Sequence, residues 1–204
     1  DGLGGPRDWA QVVEHLAGSS LLPAIYFIFS RAACDDAVRA VLESGLRLTR
    51  PAEARRVQEI VAAHVDHLDP GDLALLDHDR WRAGLEAGVA AHHAGMVPPF
   101  KEAVESCFAE GLVKVVFATE TLALGINMPA KTVVLEKLVK YNGESHADIT
   151  AGEYTQLTGR AGRRGIDVEG HAVVLWQAGM DPRAVAGLAS RRTYPLRSSF
   201  APTY

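Results

Sequence analysis

The chain has 204 residues, room for one large domain or two small ones, and its apolar fraction of 48% supports a sizeable core. A formal net charge of −4 excludes a global basic field that draws nucleic acid from a distance, so any anion binding must be local. Cys34 and Cys107 show no metal-ligand spacing, and no disulfide framework, secretory leader or transmembrane-length apolar run is legible; the expectation is a cytoplasmic protein without membrane contact.

In chain order, residues 1–19 read as a linker ("DGLGGP") and a leading helix. "AIYFIF" (24–29) is a buried strand by its β-branched and aromatic content, and Ser30 is placed to cap the helix "RAACDDAVRAVLES", which stops at Gly45. Residues 46–87 break the rhythm with helical patterns, the first opened by Pro51, and read as an insertion after the first strand. "GVAAHH" (88–93) is a second strand, followed by Pro98 and Pro99 at the start of a helix through "FKEAVESCFAEG". "VKVVFAT" (113–119), "KTVVLEK" (131–137) and "HAVVLWQ" (171–177) are further strands, with a short helix in "ETLALG" and a longer one beginning at "GEYTQL". Strands alternating with helices predict an α/β fold, a parallel sheet covered by helices on both faces. The core domain is expected over 20–190. Residues 191–204 read as the start of a linker to a following domain, so the chain reads as a piece of a longer protein.

In open parallel sheets, ligands bind beyond the carboxyl ends of the strands. Those ends carry Ser30 and Arg31, then His92, His93 and Gly95, then Thr119 and Thr121. Small or hydroxyl residues beside helix starts favour phosphate, and several side by side suit a polymer backbone. The same residues also read as ordinary N-caps and core histidines. In "GRAGRRG" (159–165), Arg160 and Arg163 stand three apart and share one helical face. A guanidinium forks two hydrogen bonds to phosphate, and one aimed at a γ-phosphate stabilises phosphoryl transfer. Spacing alone favours a basic helix end capped by Gly165. His64, His67 and His78 stand among Asp66, Asp69, Asp77 and Asp79, which suggests either a metal site or a solvated helical face; no cysteine joins them, which favours the second. Neither a phosphate loop of the G-x-x-x-x-G-K-[ST] type nor a G-x-G-x-x-G fingerprint is present.

"FATETLALGINMPAKTVV" (117–134) resembles motif V, and "YTQLTGRAGRRGID" (154–167) resembles motif VI, of superfamily 2 helicases. "YFIFSRAACDDAV" (26–38) is similar to their motif IV, and residues 88–121 resemble the stretch after it in the Ski-like RNA helicases. The resemblance implies the second RecA-like domain of an ATP-dependent helicase, which steps 3′ to 5′ along a single strand. ATP with Mg²⁺ would then sit in a cleft against a first RecA-like domain that supplies the phosphate loop and holds the metal. By position, Arg160 and Arg163 would face ATP, with Gln156, Gly125 and Asn127 near the nucleotide. Ser30, Arg31, His93, Gly95, Thr119 and Thr121 would hold the backbone of the strand. The resemblance favours RNA over DNA and suggests RNA-decay machinery as a partner. A DNA-repair helicase and a non-catalytic nucleic-acid-binding module are the alternatives.

Overall fold

A computed structural model of the chain describes residues 8–119, 128, 130–136, 139–141, 146–148, 162–163, 170–175 and 197–201. Its elements are α1 (Asp8–Gly18), β1 (Ala24–Phe27), α2 (Arg31–Glu43), α3 (Pro51–Val65), α4 (Pro70–Leu75), α5 (His78–Ala87), β2 (Val89–His92), α6 (Pro98–Ala109), β3 (Val115–Ala118), β4 (Thr132–Leu135), β5 (Val139–Tyr141), β6 (His146–Asp148), β7 (His171–Leu175) and β8 (Arg197–Ala201). The strands order as β2-β3-β1-β4-β7-β8, every pairing parallel, and β5 and β6 form a separate antiparallel pair. The five apolar runs that the sequence marks as strands are all in this sheet. The β5–β6 pair and β8 are additions; β8 lies where the sequence suggests a lead into a following domain.

Alternation along each strand divides the core into two layers. Ile25, Phe27, Val116, Ala118, Val133 and Leu135 face one side, where Val57 and Val61 of α3 and Phe100 and Val104 of α6 cover them. Tyr26, Phe117 and Val134 face the other, beneath Val13 and Leu16 of α1 and Cys34 and Val41 of α2. The stretch that interrupts the sequence rhythm is therefore half of a covering layer. Lys114 ties α3 to the start of β3 through a 2.7 Å hydrogen bond to Glu53 Oε2, and this bond is the main cause holding the Glu53 carboxyl below its usual range. On the opposite face, Trp9 Nε1–H donates to Glu136 Oε1 at 3.1 Å, pinning α1 at the carboxyl end of β4. Both cysteines are buried, and burial pushes the Cys107 thiol up to about 12, which leaves it an inert packing group.

Candidate nucleic-acid interface

Parallel pairing sets the strand ends in one row. Phe27 stands in register with Ala118, and Ala118 with His92, so the chain leaves β1, β3 and β2 at the same level of the sheet. The residues just past each strand are therefore brought side by side: Ser30 and Arg31, Thr119, and the loop His93–Val97.

Ser30 caps α2 from an extended backbone, its Oγ accepting the Ala33 N–H at 3.2 Å. Behind it the Cys34 N–H donates to the Ser30 carbonyl at 3.0 Å. The first turn of α2 contains no acid, so its positive dipole end is not neutralised there. Arg31 is exposed and, among the described residues, makes no hydrogen bond or ion pair. This combination offers an anion one hydroxyl, helix-start N–H groups and one uncommitted guanidinium.

The second strand end works differently from a helix-dipole site. α6 opens with Pro98 and Pro99 behind Val97, which provides no side-chain cap. Prolines lack the N–H groups that make a helix start attractive to phosphate. The polar groups here belong to the loop instead. His93, buried, donates Nε2–H to Asp35 Oδ1 at 3.0 Å and accepts the Gly95 N–H on Nδ1 at 3.1 Å. Both ring nitrogens are thus occupied, so His93 braces the loop from within. Gly95 has the same logic: its N–H is engaged, and a Cβ there would stand 3.1 Å from His93 Nδ1 and 3.5 Å from Arg31 Cδ. The exposed Ala94 N–H has no partner among the described residues.

His92, one residue earlier, faces α6 and donates Nε2–H to Glu105 Oε1 at 2.9 Å, while its buried Nδ1 has no partner among the described residues. Burial pushes the imidazole below the usual histidine range, and the Glu105 hydrogen bond and charge offset this only in part. The unfolded chain therefore binds more protons at this site than the folded one, so stability is lost as pH falls below the ordinary histidine value of about 6.5. Thermal scans are expected to show Tm declining from about pH 7 to about pH 5, and His92→Gln to flatten that decline. An unchanged slope in the variant would assign the acid sensitivity to another group.

Thr119, also in the row, is buried. Thr121, Gly125, Asn127, Gln156 and Arg160 lie outside the described residues. Within "GRAGRRG", Gly162 has a φ of +88°, the left-handed region where glycine carries no steric penalty. Its N–H donates to the Ala130 carbonyl at 2.7 Å, just ahead of β4, and Arg163 follows half-buried. That anchor is at the amino end of β4, whereas the row lies beyond the carboxyl ends. Four strand residues separate the two by about 13 Å, so the Gly162 backbone and the row are distinct places on the domain.

His64 and His78 are used locally. His64 Nδ1–H donates to the Ile60 carbonyl at 2.8 Å, and the His78 ring packs against Trp81, itself stacked on Phe100 at 4.0 Å. No group of three potential metal ligands exists among the described residues. Nor is any described helix long and apolar enough to cross a membrane. Asp35 is the site residue that sequence reasoning missed. It sits one helical turn after Arg31, but its partner is 58 positions away, and only the fold joins them.

The model of the helicase conserved C-terminal domain matches residues 54–165, over half of the chain. The probable helicase HelY of Mycobacterium tuberculosis is 61% identical over 199 residues, covering 98% of this chain and 22% of that protein. The exosome RNA helicase MTR4 of Homo sapiens is 36% identical over 203 residues, 100% of this chain and 19% of its own length. The antiviral helicase SKI2 of Saccharomyces cerevisiae is 36% identical over 169 residues, 83% of this chain and 13% of its own length. The chain thus spans between 13% and 22% of these relatives. With a parallel α/β sheet, a family match over residues 54–165 and these relatives, the chain belongs to the helicase conserved C-terminal domain family, as the second RecA-like domain of a superfamily 2 Ski-like helicase.

Proposed function

We propose that this chain is the C-terminal motor domain of an ATP-dependent 3′–5′ RNA helicase. Arg160 and Arg163 supply charge to the phosphates of ATP held by a first RecA-like domain, and the strand-end row takes the backbone of single-stranded RNA. The observation that carries the reading is the register: three consecutive strand ends open at one level, beside an acid-free helix start and an Arg31 without an ion pair among the described residues. N–H and hydroxyl groups beside these strand ends suit phosphate oxygens and read no base. Guanidinium groups suit phosphate oxygens, not a cation, so Mg²⁺ is assigned to the first domain, where it would neutralise phosphate charge. In this scheme Gln156, Gly125 and Asn127 approach the nucleotide, while Thr119 and Thr121 join Ser30 and Arg31 on the strand. His93 and Gly95 shape the loop between them. ATP-driven closure and reopening of the cleft would step the protein along the strand. Similarity to the exosome RNA helicase of Homo sapiens supports RNA-decay machinery as the partner class.

In the full-length protein, ATP hydrolysis is expected to be stimulated more by single-stranded RNA than by DNA of the same sequence, and unwinding to require a 3′ overhang. Arg31→Gln should weaken RNA binding whatever the sequence and reduce the slope of log K against log salt by about 0.7, the loss of one phosphate neutralised on a single strand. Stronger stimulation by DNA would shift the assignment to a DNA-repair helicase. An unaltered salt slope would remove Arg31 from the strand path.

A further inference from the structure

We infer that Asp35 is a positioning residue for the strand: it sets the His93–Val97 loop, and through it the Ala94 peptide and the stem of Arg31, in the geometry that receives a phosphate. This rests on the strand-end row proposed above and deepens it.

The loop is not held by packing alone. A cavity of about 250 Å³ lies against it, lined by Asp35, His93, Gly95 and Met96 together with Trp81 and Phe100. What fixes the loop is a chain of hydrogen bonds. Asp35 Oδ1 accepts the Nε2–H of His93 at 3.0 Å, which keeps the proton on Nε2 and leaves the Nδ1 lone pair to accept the Gly95 N–H at 3.1 Å. The Met96 N–H then donates to the His93 carbonyl at 3.2 Å and closes the turn. The opposite tautomer would set two N–H donors, Nδ1–H and Gly95 N–H, against each other. Asp35 therefore selects the tautomer that the loop requires, much as a buried carboxylate orients a metal-ligating histidine. Arg31 is part of the same stack, because its Cδ and the His93 ring both lie against the bare face of Gly95. Freeing the ring releases the peptide and the arginine together.

Asp35 itself keeps 56% of its side-chain exposure, so its substitution removes no core packing. This separates positioning from a general structural role. In the full-length protein, Asp35→Ala is expected to weaken binding of a fluorescein-labelled oligouridylate about tenfold, the loss of one charge-assisted hydrogen bond. The RNA concentration for half-maximal ATPase should rise by the same factor, with turnover at saturating RNA unchanged. Asp35→Asn should recover most of the affinity, because its amide oxygen accepts the same Nε2–H. Wild-type RNA affinity in Asp35→Ala, or a loss that Asp35→Asn does not recover, would overturn the inference. Arg31→Ala in the same assays separates the two claims. If it weakens binding while Asp35→Ala does not, only the positioning role fails; if neither does, the strand-end row itself is not on the RNA path.

Discussion

In the full-length protein, Arg163→Ala is expected to lower RNA-stimulated ATP turnover by about 10³-fold or more, with affinity for single-stranded RNA largely retained. The split follows from the two ends of the sheet. The Gly162 anchor fixes Arg163 at the amino end of β4, while the proposed strand contacts lie beyond the carboxyl ends of β1, β2 and β3. Gly162, with its left-handed backbone and its N–H on the Ala130 carbonyl, gives the arginine a defined starting point. Electrostatic catalysis needs that, because a preorganised charge carries no reorganisation cost at the moment of transfer. Arg163→Lys is expected to recover little, since an ammonium is a point charge without the planar fork. Single-turnover hydrolysis with saturating ATP and RNA is the measurement. Unchanged turnover would remove Arg163 from the phosphate and leave Arg160 as the next residue to test.

Phe117→Ala is expected to cost about 3–5 kcal/mol, among the large stability losses a single truncation causes in a core. Phe117 is fully buried on β3, its ring 5.2 Å from Tyr26 on the neighbouring β1, under the layer formed by α1 and α2. Surroundings this dense relax only partly around a void, so the cavity term adds to the lost transfer energy. A domain stable by about 5–15 kcal/mol loses a large share of that margin. Denaturant titration should show a lower midpoint at unchanged m-value. The consequence reaches function, because β3 is the strand that holds the other two ends of the row in register. A loss below about 1 kcal/mol would mean that the α1–α2 layer collapses onto the gap.

Much of this architecture is legible in the linear chain. The five central strands announce themselves as short β-branched runs because a parallel sheet buries both faces, which removes the polar alternation of a half-exposed strand. Ser30 as a cap follows from its hydroxyl, and helix boundaries at Gly45, Pro51 and Pro98 follow from backbone chemistry that is local to those residues. The β5–β6 pair and β8 are not legible there. "VKY", "HAD" and "RSSFA" are short and carry little apolar signal, so their pairing depends on neighbours distant in sequence. Segment 46–87 is legible as helices but not as a layer, since nothing local says which sheet face a helix will cover.

The candidate site divides the same way. By itself the sequence determined the residue chemistry: a capping serine, an arginine beside it, a glycine-spaced arginine stretch and motifs shared with Ski-like helicases. Those properties belong to single residues and short spacings, which is all a linear pattern encodes. The tertiary structure decided which of them act together. Strand order and register put β2, β3 and β1 at one level, and a contact across 58 positions gave His93 its carboxylate. The same fold engages the His93 ring and the Gly95 N–H in hydrogen bonds inside the loop. Whether a donor is available depends on its partners in space, and those exist only once the chain has closed on itself.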